Sequence, residues 1–329
     1  MATIKDVAKL AGVNPSTVSR VIADNPKITK ETKDKVYRAM KELNYRPNAI
    51  ARSLANQSRT KIIGIILPSE SDALFHNPFF IRVISSISSY AQKHGYYIMH
   101  GHSGKELGEL KILQDLVNSR WVDGIILTTS RNNDKGIEYL NSANMPFVVI
   151  GKVDDNVDAY TVDNDNTEAT QNATQKLIDK GMGKICFIGG SLEFRVNVER
   201  LKGYNDAMAA NNLEVYDYMI YTNDDSEETG VKGMQQFLKY FVPDAIITTD
   251  DLIAFGACQK GYEVIGEYVP VVGFNNTPVS IYRNPQFSSV EIFAEKLGYH
   301  SAKTLIDILE GVEVKEKHFT VATKFYDRN

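Results

Sequence analysis

The sequence predicts an α/β protein with a helical N-terminal headpiece, a short connecting helix and two lobes built on parallel sheets. Three observations lead there. Apolar residues in the first 45 positions recur at helical spacing. From Lys61 onward, short apolar runs alternate with amphipathic stretches in two successive series. The 329 residues, 43% of them apolar, also exceed what one hydrophobic core ordinarily supports. Charge divides the chain at the same place: residues 1–60 hold 12 Lys+Arg against 5 Asp+Glu, a net of +7, so with −4 overall the other 269 residues carry −11. A polyanion is therefore drawn to one end only, with a binding strength that falls as salt rises.

The first helix starts at Thr3, which forms a capping-box pattern with Asp6 three positions on, Asp replacing the usual Glu or Gln. Ile4, Val7, Ala8 and Ala11 fall at i, i+3, i+4 and i+7 and share a buried face. Gly12 supplies a sharp stop, Asn14 suits the cap of a second helix, and Pro15 suits its first turn, where a missing N–H costs nothing. In that second helix Val18, Val21 and Ile22 face inward, while Ser16, Ser19 and Arg20 face out. A third helix, capped by Thr29, packs through Val36, Met40 and Leu43. Small polar side chains let a helix approach the floor of a major groove, and an Arg can bond guanine O6 and N7 bidentately. The pair reads as a DNA-binding helix-turn-helix; the competing reading is an amphipathic helix pair serving another domain.

The stretches TIKDVAKLAGVNPSTVSRVI, from Thr3 to Ile22, and NYRPNAIARSLA, from Asn44 to Ala55, resemble the LacI/GalR family of transcriptional repressors, and the likeness runs from Thr3 to the C-terminus. The resemblance implies a helix-turn-helix DNA-binding domain over residues 1–46, a hinge helix and linker over 47–60, and a two-lobe effector-binding and dimerisation domain over 61–329. It implies DNA contacts from Thr3 and Lys5, from Asn14, Pro15, Ser16, Thr17, Ser19 and Arg20, from Asn25, and from Asn48, Ala51 and Leu54 in the hinge. The segment Pro47 to Ser58 is at or below the roughly 12 to 15 residues at which an isolated helix becomes marginal, so it is expected to fray when unbound. Ile50 and Leu54, at i and i+4, form a small apolar seam in a dimer. The resemblance implies that Leu54 wedges into the minor groove and kinks the duplex, against the plainer reading of a linker with a buried Leu.

Strands are expected at 62–67, 97–100, 124–127 and 147–150, and again at 184–188, 218–221, 245–248 and 271–273, with helices between. Two open parallel sheets facing one another make a cleft lined by the loops beyond their strand C-termini. This is similar to the periplasmic-binding-protein-like fold of the family's effector domain, with crossings between lobes expected near Tyr160 to Asp163, near Phe287 to Glu291 and after Lys317. Cys186 and Cys258 are isolated and read as core residues suited to a reducing compartment, and Trp121 reads as ordinary packing. No apolar run reaches the roughly 18 residues of a membrane helix and no signal-peptide core is present, so a cytoplasmic protein is expected.

Effector binding is expected from Phe79, Arg200, Asp250 and Asn275. Phe79 and Phe80 follow the first strand and offer aromatic faces for a sugar ring. Arg200 matches the family's effector-binding Arg, with Arg195 near it, and its guanidinium presents fixed donors. Asp250 follows a strand and accepts from hydroxyls, or simply caps a helix. Asn275 stands where many relatives carry Asp, and Asp225 where they often carry an aromatic. An amide both donates to and accepts from a diol, so the first departure favours a neutral sugar over a cationic or purine-like effector. Arg195 to Met208 and Gly273 to Asn276 carry a closer resemblance within the family, and that resemblance implies maltose or a related malto-oligosaccharide as inducer. His100 and His102 share one strand face but lack a third ligand at metal spacing. No phosphate-binding loop, nucleophile elbow or His-Glu-x-x-His is present, and Gly189-Gly190-Ser191 is too short a phosphate signature, so no enzyme, cofactor or metal is expected. The expected partners are a pseudo-palindromic operator DNA, a small sugar effector and a second copy of the chain, with no membrane. A homodimer is preferred over a tetramer because the chain ends at Asn329 without a leucine-heptad tail. Two rival readings remain: a catabolite-control repressor using a phosphorylated carrier protein as corepressor, and a sugar-binding transport protein of the same fold.

Overall fold

The computed structural model describes residues 2–46, 59–68, 77–103, 106–154 and 156–328. The chain divides into two compact units, Met1–Thr60 and Lys61–Asn329. Asn48, Ala51 and Leu54 lie outside the described residues, as does most of the hinge.

The first unit holds α1 (Ile4–Ala11), α2 (Pro15–Ile22) and α3 (Lys30–Glu42). The Thr3 and Asp6 capping box is present in both directions: the Thr3 N–H donates to Asp6 Oδ2 at 2.8 Å, and the Asp6 N–H donates to Thr3 Oγ1 at 3.4 Å. Gly12 ends α1 at φ 68°, a left-handed conformation that Gly adopts without a Cβ penalty. Thr29 caps α3 through its hydroxyl. Val7, Ala8, Val18, Val21, Val36 and Ala39 form the buried centre, with Ile4, Ala11, Ile22, Met40 and Leu43 packed around it.

The second unit holds two six-stranded sheets. The first is ordered β11-β5-β4-β3-β1-β2 and is parallel throughout; it comprises β1 (Ile62–Leu67), β2 (Tyr97–His102), β3 (Gly124–Leu127), β4 (Phe147–Ile150), β5 (Tyr160–Asp163) and β11 (His318–Thr320). The second is ordered β12-β10-β9-β8-β6-β7, from β6 (Ile185–Gly189), β7 (Ile220–Thr222), β8 (Ala245–Thr248), β9 (Val271–Phe274), β10 (Ser288–Glu291) and β12 (Lys324–Tyr326), with only β12 antiparallel. Every residue of β1, β3, β4, β6, β8 and β9 is buried, as expected of central parallel strands covered on both faces.

Helices α4 (Pro78–Lys93), α5 (Glu106–Asn118), α6 (Lys135–Ser142) and α12 (Ala294–Glu310) belong to the first lobe; α7 (Asn166–Asp179), α8 (Arg195–Ala210), α9 (Glu227–Phe237), α10 (Asp251–Ile265) and α11 (Pro278–Tyr282) belong to the second. The chain passes between lobes after β5, after β10 and between β11 and β12, where the crossings were expected. Several details differ from the sequence reading. Strands β5, β10, β11 and β12 stand beyond the eight expected, at or beside the crossings between lobes. The run 218–221 opens with a 3-10 turn at Asp217–Met219, and the strand follows it. Trp121 is 48% exposed rather than packed, because the turn before β3 carries it outward. Cys186 and Cys258 are buried free thiols, with burial pushing the Cys186 thiol up to about 12.

Candidate functional site

On the headpiece, Lys5, Asn14, Pro15, Ser16 and Arg20 are exposed, and Thr17, Ser19 and Asn25 are half-buried, so α2 turns a small polar face to solvent. Asn14 stands at the N-cap of α2, yet its side chain makes no capping hydrogen bond. Asn25 does have a local task, its Oδ1 accepting from the Lys27 N–H at 2.9 Å to hold the turn after α2. Thr3 is exposed but its hydroxyl is engaged, donating to Asp6 Oδ2 at 2.8 Å. The hydrogen bonds from the Thr3 N–H and hydroxyl hold the Asp6 carboxyl below the ordinary carboxylate range.

In the second unit a cavity of about 170 Å³ opens between the lobes, lined by loops beyond the C-terminal ends of strands in both sheets. This is where open parallel sheets place ligands. Phe79, Arg200, Asp250 and Asn275 all line it, so the structure brings the four expected effector residues together. Phe79 lies in the first turn of α4, edge-on to Phe80 at 5.1 Å between ring centroids, and Asn77 caps that turn by accepting from the Phe79 N–H.

Arg200 is buried. Its Nε and one terminal nitrogen donate to Asn166 Oδ1 at 3.1 and 3.0 Å, the other terminal nitrogen donates to the Thr249 carbonyl at 2.5 Å, and the guanidinium lies 4.0 Å from the Phe274 ring. A guanidinium has five N–H groups, so one remains on each terminal nitrogen without a partner among the described residues. Burial depresses its pKa to about 10, against the pull of Asp250, Asp163 and Asp225, and it stays charged at neutral pH.

Of the two roles expected of Asp250, the structure shows the plainer one, the helix cap. Its Oδ1 accepts from the Leu252 N–H at 2.7 Å, capping α10, while Oδ2 accepts from the amides of Asn275 at 2.6 Å and Asn77 at 3.1 Å. Burial beside Asp251 pushes the carboxyl up to about 7, against the pull of the Leu252 N–H and of Arg200. Asn275 sits at φ 91°, a conformation rare for any residue but Gly. Its N–H donates to the Val290 carbonyl at 2.8 Å, and its Oδ1 accepts no hydrogen bond among the described residues.

Several lining residues were not anticipated. Asn166 is the main partner of Arg200, Asn77 ties the first lobe to Asp250, and Asp163, pushed up to about 7 by burial and by Glu199, stands at the end of β5. The polar run Asp163-Asn-Asp-Asn166 directly after an apolar strand was the available signal. Gly189-Gly190-Ser191 is accounted for without phosphate. A Cβ at Gly190 would lie 1.7 Å from Asp225 Oδ1 and 2.7 Å from Asn197 Nδ2, so the glycine makes room for a carboxylate.

Arg195 is not a lining residue; it donates to Asp154 across the cleft mouth, beside a Lys152–Glu199 pair at 3.5 Å. His100 and His102 are exposed on edge strand β2, and no group of three or more His, Cys, Asp or Glu is placed to hold a metal among the described residues. Among those residues no helix is long and apolar enough to cross a membrane.

Comparison with known proteins covers nearly the whole chain. Residues 3–48 match the family model of bacterial regulatory proteins of the lacI family, and residues 60–328 match that of periplasmic binding proteins and the sugar binding domain of the LacI family. The chain is 39% identical to the HTH-type transcriptional regulator MalR of Streptococcus pneumoniae over 93% of its own length and 92% of that protein, and 32% identical to MalR of Staphylococcus xylosus over 100% and 97%. Among solved structures it resembles a complex of the transcriptional regulator CelR with cellobiose, at a TM-score of 0.76 and 28% identity, covering 100% of this chain and 99% of that one.

Proposed function

The chain belongs to the LacI family of bacterial regulatory proteins, and on that premise we propose that it is a homodimeric transcriptional repressor whose operator affinity is set by maltose or a malto-oligosaccharide. Two headpieces read the half-sites of a pseudo-palindromic operator, the two-fold axis of the protein matching that of the DNA. Ser16 and Arg20 take the base-reading roles and Lys5 a phosphate role, consistent with their exposure on one small unit. Asn14, Pro15, Thr17, Ser19, Thr3 and Asn25 frame that face. Asn48, Ala51 and Leu54 continue the contact into the minor groove, so Leu54→Ala should reduce both operator affinity and DNA bending.

The observation that carries the effector reading is the state of Arg200. It is buried and fixed by Asn166 and Thr249, with two N–H groups left over in a cavity edged by Phe79 and Phe80. A fixed donor pair suits vicinal hydroxyls, an aromatic face suits a pyranose ring, and the open Oδ1 of Asn275 accepts from a hydroxyl. The kinship with maltose regulators supports the choice of sugar. A sugar shifts operator affinity only as far as its affinities for the two cleft states differ.

Titration calorimetry of the full chain against a panel of neutral sugars tests this reading. Heat with maltose or maltotriose is expected. No heat with either sugar, together with binding of a phosphorylated carrier protein, would overturn it in favour of the catabolite-control reading.

A further inference from the structure

Asn275, at positive φ, is held by several partners, and one of them comes from the opposite lobe. Arg82 lies in the second turn of α4, in the first lobe. Its Nε and a terminal nitrogen donate to Glu295 of α12 at 2.6 and 2.8 Å, a bidentate pair within that lobe. From this anchor the other terminal nitrogen reaches across to the Asn275 carbonyl at 3.2 Å, and the first also reaches Glu291 Oε1 at 3.4 Å. Glu291, itself buried, accepts from the Phe293 N–H and the Asn276 amide. Asn276, also at positive φ, donates its N–H to Ser289 Oγ at 3.0 Å.

We propose that Arg82 is a positioning residue of the effector cavity, holding the Asn275 carbonyl so that the amide side chain meets Asp250 and leaves its Oδ1 facing the ligand. Two features make this more than a surface ion pair. A carbonyl held by a guanidinium restrains the peptide plane that follows Asn275, and that plane must be fixed for two consecutive residues to keep positive φ. The same helix also grips Asp250 through Asn77, so α4 holds both lobe-two residues of the Asp250–Asn275 pair. Arg82 itself does not line the cavity.

The inference rests on the reading of this cavity as the effector site, and its test has one arm independent of any sugar. In the first arm, hydrogen exchange is followed in the full-length, sugar-free protein for the amides of Asn275, Asn276 and Thr277, which donate to Val290, Ser289 and Asp251. Arg82→Gln should speed exchange at these amides about tenfold or more, the effect of losing one charge-assisted hydrogen bond, and leave the body of α12 unchanged. Unchanged exchange in the loop overturns the proposal. Glu295→Gln, which loosens only the anchor, should speed the same amides by less, and it decides the matter if the first variant does not fold.

In the second arm, maltotriose is titrated into the wild type, Arg82→Gln, Asn275→Ala and the double variant. Arg82→Gln should weaken binding about tenfold, and the double variant should bind no more weakly than Asn275→Ala alone, because one residue acts through the other. Additive losses contradict the proposal. If the wild type takes up no maltotriose, the effector reading fails, while the exchange arm still decides the role of Arg82.

Discussion

Replacing Arg200 with Ala removes the hub of the cavity, and the structure sets the size of the effect. Asn166 Oδ1 loses two hydrogen bonds and the Thr249 carbonyl loses one, in residues that are each 2% exposed. Leaving two buried acceptors unsatisfied costs about 1–3 kcal/mol each, and the lost contact over Phe274 adds about 1 kcal/mol. Water entering the vacated space recovers part of this, so a net destabilisation of about 2–4 kcal/mol is expected, measured by urea unfolding followed by far-UV circular dichroism. That is a large share of a typical margin of about 5–15 kcal/mol, yet the variant still folds. Calorimetry should show no heat with maltose or maltotriose, while operator binding without sugar stays within about twofold of the wild type. Arg200→Lys should regain part of the stability through one acceptor but not the sugar binding, since an ammonium lacks the planar fork. A cost below about 1 kcal/mol with sugar response intact would mean that Arg200 neither holds the cavity together nor binds the sugar, and loss of sugar-free operator binding would make the residue structural.

The remaining predictions concern the cap, the helix packing and pH. Thr3→Ala removes the capping box of α1 and should destabilise the headpiece by about 1 kcal/mol, read as a lower melting temperature of that unit in the full chain; an unchanged melt would mean the cap contributes nothing. Gly203→Ala places a Cβ 2.2 Å from the Thr167 carbonyl, where α8 crosses α7. The helices must separate, at about 1–3 kcal/mol, and sugar binding should weaken as well because Asn166 on α7 and Arg200 on α8 move apart. Asp163 and Asp250 both have folded pKa values raised to about 7 from 3.8. The folded state then holds more protons than the unfolded one between about pH 4 and 7, so their contribution is fully present below the unfolded pKa and is lost as pH rises through 7. The sugar-free protein should melt higher at pH 5.5 than at pH 8, and Asp250→Asn should flatten that slope; a melting temperature that rises with pH over this range would contradict the assignment.

Much of this architecture is legible in the sequence where burial is two-sided. Strands such as Ile62–Leu67 and Gly124–Leu127 are apolar at every position or broken only by Gly, and they stood out for that reason. The edge strand β2 was still found, but the three-residue edge strands escape the same test. His318–Thr320 and Lys324–Tyr326 are three residues long and partly exposed, with too little apolar character to register, while Ile220–Thr222 is displaced by the turn before it. Asp250 and Asn275 were found because they follow apolar strands, and Arg200 because the stretch around it in α8 resembles a family motif. Asn166 and Asn77 were not assigned to the site because an Asn at a helix start ordinarily reads as a cap; Asn77 is one, and it bonds Asp250 as well. The reach of Arg82 to Asn275 joins residues 193 positions apart, and no local pattern encodes it.

The proposed switch is a sugar, held by Arg200, Asp250 and Asn275, that sets the grip of the headpieces on DNA. It is tested most directly by measuring operator affinity of the full-length protein at fixed salt with and without saturating maltotriose, for the wild type and for Arg200→Ala. At least a tenfold change is expected in the wild type and none in the variant. An operator affinity that maltose and maltotriose leave unchanged in the wild type would contradict it.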